Sequence, residues 1–232
     1  MRLNNKELYE FFVDKEIPTL YHANTVTTSI TYIEQYGLLS RGAVEKMGLT
    51  QTSQNSDEID KVLNVWNDVF LDTIDLHSFF PRQNYYGPVL FEFDRELIKD
   101  EQFEIWITKN NPINWKKEME DSDRYFINIQ DLREKWETIP RQRKMITIRN
   151  NFSPILFNYA RRVIVDDPKR TFIEDGKKLH VFNQSVKNIK EVLSPEHPLK
   201  GKFMTRNCQG FCYCTNNYLY QHSVTDIKKL FL

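Results

Sequence analysis

Leu20-Tyr21-His22-Ala23-Asn24-Thr25, followed one helix later by Tyr36-Gly37-Leu38-Leu39-Ser40-Arg41-Gly42, is the stretch from which the fold of this chain is read. Thr19 to Ala23, set just behind Pro18, reads as a strand. Thr25, Thr27 and Thr28 offer hydroxyls to cap a helix that carries Ile30, Ile33 and Glu34, and Gly37 after Tyr36 predicts its end. The unit is strand, turn, helix, then Leu38-Leu39-Ser40-Arg41-Gly42, with His22 near the end of the strand.

Upstream, Leu8, Phe11 and Phe12 before Pro18 predict a short helix with one apolar side. Downstream, Thr50 to Asp57 is a polar run expected as a loop, and Ile59, Val62, Leu63 and Trp66 keep the spacing of an amphipathic helix. Strands are predicted where apolar residues alternate or cluster, at Pro88 to Asp94, Phe103 to Thr108, Met145 to Arg149 and Val163 to Asp166. Between the last two, Pro154 suits a first helical turn. With 7 glycines, 9 prolines, no repeat and no Ser/Gly linker, no sharp domain boundary is visible. The expectation is one mixed α/β domain over residues 1–177, with a Cys/Tyr-rich appendage over 178–232 packed on it.

The chain has 232 residues, 40% of them apolar and 13% aromatic, enough to fill a core. No run approaches the roughly 18 to 20 apolar residues that span a bilayer, and Met1 to Glu16 lacks the apolar segment of a signal peptide, so no membrane contact and a cytoplasmic location are expected. Three cysteines, all between Cys208 and Cys214, are too few for a disulfide framework. The net charge is zero, from 32 basic and 32 acidic residues, which excludes a strong global pull on polyanions. Charge is distributed unevenly: 13 acids against 8 bases over Glu92 to Glu137, then 10 bases against 4 acids over Arg141 to Lys178.

The opening stretch resembles the ADP-ribosyltransferase superfamily, in particular the toxin family that modifies thymidine in single-stranded DNA, whose members begin with a strand, a Tyr-His pair and a helix ending in Gly-Leu-Leu. The resemblance extends, more diffusely, through Tyr125 to Trp136, Pro140 to Arg149 and Val163 to Pro168, and so covers roughly residues 18 to 168. It implies an α+β fold with a split, mixed and antiparallel β core and peripheral helices. It also implies an enzyme of the glycosyltransferase class, using NAD as co-substrate to modify a DNA or RNA base, as a toxin or phage-defence effector with an antitoxin partner. By the resemblance His22 binds the NAD ribose. A neutral imidazole can both donate to and accept from ribose hydroxyls, whereas a strand-end histidine taken alone reads as a satisfied structural residue. Tyr21, Asn24 and Arg41 flank the implied cofactor site. Where the family has its catalytic glutamate, this sequence has Met145. Three openings follow: a different register, another acid such as Glu92, Glu104 or Asp131, or NAD binding with altered or absent transfer.

Other patches bear on the same chemistry. In Ser78 to Pro88, Arg82, Tyr85 and Tyr86 combine a guanidinium fork for a pyrophosphate with rings to stack a nicotinamide, and Arg82 and Tyr86 join His22 as the expected catalytic set. A turn covering a sheet edge is the plainer reading. Arg141, Arg143, Lys144 and Arg149, with Arg161 and Arg162 beyond them, either contact nucleic-acid phosphates while Trp136 or Tyr159 stacks a base, or form a solvated charged face. Cys208, Cys212, Cys214 and His222 present four soft ligands for a zinc ion, in a spacing uncommon for zinc, or a set of buried thiols among tyrosines.

Overall fold

A computed structural model describes residues 1–79, 83–206 and 212–232. The strands are β1 (Thr19–Asn24), β2 (Gly37–Leu38), β3 (Val69–Leu71), β4 (Val89–Asp94), β5 (Ile105–Ile107), β6 (Ile146–Ile148), β7 (Ile155–Leu156), β8 (Ala160–Val165), β9 (Thr171–Glu174), β10 (Lys177–His180) and β11 (Phe203–Thr205). The helices are α1 (Asn5–Asp14), α2 (Val26–Glu34), α3 (Arg41–Lys46), α4 (Asp57–Val62), α5 (Leu76–Phe79), α6 (Asp121–Arg124), α7 (Ile129–Lys135), α8 (Val181–Glu191), α9 (Tyr213–Asn216) and α10 (Val224–Phe231).

The main sheet has the order β1-β4-β8-β11, antiparallel except for the parallel pair β8–β11. A second, antiparallel sheet runs β3-β6-β5. The two meet where Tyr21 and Asp72 exchange backbone hydrogen bonds of 2.9 and 2.8 Å. The architecture is therefore α+β with a β structure divided into separate sheets. The segment beyond residue 177 contributes to it directly, because β11 is the fourth strand of the main sheet.

β4 sits between β1 and β8, and Val89 through Phe93 are buried on both of its faces, so the alternation read from sequence hides a strand covered on two sides. On one face Leu20, Phe91, Phe93, Val163 and Val165 join the main core with Tyr32 and Ile33 of α2 and Ile189 of α8. Phe91 stacks on Phe157 at 5.3 Å between ring centres. The helix predicted from Leu8, Phe11 and Phe12 is α1, and Phe11 meets Trp136 edge-on at 5.0 Å.

Three local expectations need correction. Helix α2 ends at Glu34, and Tyr36 takes the left-handed turn (φ 57°) while Gly37 opens β2. Gly37 is required there by space, since a Cβ would lie 2.5 Å from the Ile155 carbonyl oxygen across the β2–β7 pair. The helical spacing from Ile59 to Trp66 yields only α4, which buries none of its residues. The chain turns at Asn64 (φ 59°), so Leu63 and Trp66 are never on one helix face. Pro154 leads into β7 and a 3-10 turn rather than an α-helix.

Asp72 carries a carboxyl 9% exposed, with burial pushing its pKa from the ordinary 3.8 up to about 7. Between those values the unfolded chain releases a proton that the folded chain keeps, so stability falls as pH rises from about 4 to 7. At about 1.4 kcal/mol per tenfold in proton affinity, the loss reaches at most about 4 kcal/mol. The substitution Asp72→Asn is expected to raise the melting temperature at pH 8 and leave it nearly unchanged at pH 4, as measured by thermal unfolding at the two pH values.

Candidate functional site

α2 begins where β1 ends, and Thr25 is its N-cap, accepting from Thr28 N. The hydroxyls of this first turn also tie down the polar run that follows α3. Thr25 Oγ1 donates to Thr52 Oγ1 at 2.7 Å, Thr52 N donates to Thr28 Oγ1 at 2.9 Å, and Thr31 Oγ1 donates to the Thr50 carbonyl at 2.6 Å. The loop expected over Thr50 to Asp57 is thereby fastened beside β1.

Arg41, first residue of α3, lies inside that loop. Its Nη2 donates to the Thr52 carbonyl at 3.0 Å and to Asp57 Oδ2 at 2.9 Å, and its guanidinium stands 5.1 Å from the Trp66 ring centre. Asp57 Oδ2 also accepts from Gln54 N, and Gln51 Nε2 donates to the Arg41 carbonyl. The opposite faces of these groups are left over. Arg41 Nε and Nη1, Asp57 Oδ1, Gln51 Oε1 and Ser29 Oγ are all buried without a hydrogen-bond partner among the described residues.

His22 lies close enough to Arg41 for the guanidinium charge to act on its ring. By strand alternation it faces the same side as Leu20 and Asn24, opposite Phe91 in register, with its ring 5.9 Å from that of Tyr32. Its Nδ1 lies 2.9 Å from the Phe70 carbonyl oxygen. A carbonyl only accepts, so Nδ1 carries the proton. Burial holds the imidazole pKa below its ordinary value, against the pull of the Phe70 bond and with help from the Arg41 charge. The ring is thus neutral, and Nε2 is an acceptor that is buried and unpaired among the described residues. Tyr32 lines the same space, its phenol pKa pushed up to about 12 by burial.

The other residues expected at the site are distributed differently. Tyr21 points to the opposite sheet face, where its register partner Glu92 is ion-paired with Arg162, so it does not share a pocket with His22. Asn24 lies on the His22 face, but its amide is consumed: Nδ2 donates to Tyr32 Oη and Oδ1 accepts from Thr25 N. The turn carrying Tyr85 and Tyr86 does cross the end of β1, so closely that a Cβ on Gly87 (φ 125°) would lie 2.0 Å from the Asn24 carbonyl carbon. Tyr85, 51% exposed, packs instead against His222 at 5.0 Å between ring centres. Arg82 lies outside the described residues.

Lys144 and Arg149, expected as phosphate contacts, are committed inward. Lys144 is 3% exposed, donates to the carbonyls of Trp136 and Ile139 just past the end of α7, and stands 4.0 Å over the Trp136 ring. Burial lowers its pKa to about 8. Arg149 donates to Tyr125 Oη, pairs with Asp68 and stands over the Trp106 and Tyr125 rings. Arg143 is exposed, and Arg141 is exposed while gripping Thr73 through Nε and Nη2. Cys208 is outside the described residues. The sulfurs of Cys212 and Cys214 are 2.8 Å apart, and His222 sits between Tyr85 and Tyr218. Among the described residues no group of three or more His, Cys, Asp or Glu side chains is placed to hold a metal.

Sequence reading named His22 and Arg41 but not Gln51, Thr52 and Asp57, which the structure places on Arg41. The available signal was the polar run itself, rich in acceptors beside an arginine that needs them. No protein-family model matches the chain, and no curated protein matches it. If Lys144 is structural, Lys144→Met leaves two carbonyls without their donor. The expected loss is about 1–3 kcal/mol in urea unfolding, with no change in the salt dependence of any nucleic-acid binding.

Proposed function

We propose that this protein binds NAD between His22 and Arg41, and that it is an ADP-ribosyltransferase-like effector, of the toxin or phage-defence kind, acting on a base of single-stranded DNA or RNA. The observation that carries the reading is an unmet neutral acceptor on His22 and unmet cationic donors on Arg41, close enough for the Arg41 charge to act on the His22 ring. Buried polar groups without partners cost free energy, and such groups are characteristic of a place a ligand completes. His22 Nε2 accepts from a ribose hydroxyl, and Arg41 Nε and Nη1 donate to phosphate oxygens. NAD supplies an ADP-ribosyl group whose bond to nicotinamide breaks as an acceptor nitrogen attacks. Asp57 and the Thr52 carbonyl hold the guanidinium in place, while Arg141 and Arg143 are the members of the basic segment left facing solvent for a nucleic-acid backbone.

A second reading, NAD binding without transfer, is favoured by one set of contacts. Met145 stands where the resemblance puts the catalytic glutamate, and the three substitute acids are engaged elsewhere. Glu92 pairs with Arg162, Glu104 accepts from Trp106 Nε1 at 2.7 Å, and Asp131 is held by Lys109 and Lys135.

Incubation with labelled NAD and single-stranded DNA or RNA is expected to label the nucleic acid, and His22→Ala is expected to abolish the label. Thermal stabilisation by NAD without nicotinamide release selects the second reading; saturation at a hundred times Kd corresponds to about 2.7 kcal/mol. Absence of stabilisation overturns both. Because burial holds the His22 pKa below its ordinary value, NAD affinity measured by calorimetry is expected to stay level from pH 8 to about 6.5, where an ordinary histidine is half charged.

A further inference from the structure

The unmet groups of the pocket are of both kinds. Arg41 Nε and Nη1 can only donate, while His22 Nε2, Gln51 Oε1 and Asp57 Oδ1 can only accept. A bare oxyanion would satisfy Arg41 and leave three acceptors buried and unpaired. The cluster around Arg41 is therefore matched by a ligand that carries hydroxyl donors close beside an anionic group, which is the arrangement of a nucleotide ribose and its phosphate.

Asp57 stands out among the acceptors because it bears the charge. Its Oδ2 is fixed by two bonds, from Arg41 Nη2 at 2.9 Å and Gln54 N at 3.0 Å, so Oδ1 has a set direction and no second cation to neutralise it among the described residues. A second carboxyl, Asp60, lies one turn along the same helix, with Ser56 Oγ donating to it at 2.9 Å. Burial, with a smaller contribution from the Asp57 charge and against the Ser56 hydrogen bond and Arg41, raises the Asp60 pKa to about 6. This end of the pocket is acceptor-rich and anionic. A hydroxyl is welcome there, whereas a phosphate monoester would bring like charge against a partly buried carboxylate.

Resting on the NAD reading above, we infer that Asp57 is a specificity-determining residue: its Oδ1 accepts a free ribose hydroxyl beside the phosphate held by Arg41, so the pocket takes NAD and rejects the 2′-phosphorylated NADP. The two roles of Asp57 separate in the variant Asp57→Asn. There the amide oxygen can keep the bonds to Arg41 and Gln54, while the amide nitrogen turns the free acceptor into a donor suited to phosphate.

The test is calorimetric titration of the full chain, wild type and Asp57→Asn, with NAD and with NADP, alongside Asp57→Ser in case the amide disturbs folding. The wild type is expected to bind NAD at least about tenfold more tightly than NADP, and either variant is expected to bring the two affinities within about threefold of each other. A purely structural role would weaken both ligands alike and leave their ratio unchanged. Equal wild-type affinities, or a ratio unmoved by both variants, overturns the assignment while leaving NAD binding intact. Failure of the wild type to bind either dinucleotide removes the NAD reading itself, and this inference with it.

Discussion

The bond between His22 Nδ1 and the Phe70 carbonyl, 2.9 Å long, crosses from the first strand of the main sheet to the edge of the second, and it has two consequences. Together with the Tyr21–Asp72 backbone pair next to it, it sets the distance between the two sheets at the point where they meet. It also decides the chemistry of the ring. With the proton committed to a carbonyl that cannot return it, Nε2 is left as a lone pair, and burial, helped by the Arg41 charge, keeps the ring neutral. A histidine oriented by a side-chain hydroxyl would have had a choice of tautomer; this one does not.

The Arg41 guanidinium depends on a different device. An arginine buried in a small polar loop is costly unless its donors are met. Here the Thr52 carbonyl and Asp57 meet one nitrogen, Trp66 covers the guanidinium, and two donors stay open. The loop can do this only because three threonine side chains of α2 hold its backbone and hydroxyls. The threonines thus serve twice, first as the cap of a helix and then as the anchor of the loop that holds Arg41.

On the far face of the main sheet the polar groups are arranged in the opposite manner. Asp166 accepts from Arg206 Nε at 2.7 Å and from Tyr218 Oη at 2.9 Å and lies 2.9 Å from His77 Nδ1, while Asn84 bridges His77, Tyr218 and the Gly87 carbonyl. Although burial opposes it, the neighbouring His77 and Arg206 hold the Asp166 carboxyl below the usual range. Most of these groups are paired, so this network fastens the C-terminal segment to the end of β8, whereas His22 and Arg41 keep atoms without partners among the described residues.

The order of strand, capped helix and Leu-Leu segment was legible in residues 19 to 42 because capping and strand propensity are local effects, and His22 and Arg41 could be picked out with it. Where the reading failed, the deciding forces were not local. Tyr21 went to the wrong side because the face a residue takes depends on what covers the sheet, and Lys144 and Arg149 went inward because the folded chain brings the Trp136, Trp106 and Tyr125 rings against them. The partnership of Asp57 with Arg41 was not legible in the sequence, since only the folding of the polar loop against the threonines brings the two together. What the sequence by itself determined is the set of short elements and their chemistry; which polar atoms end up satisfied and which are left open was decided by tertiary packing, because a hydrogen bond depends on where both partners are held, and those positions belong to different segments of the chain.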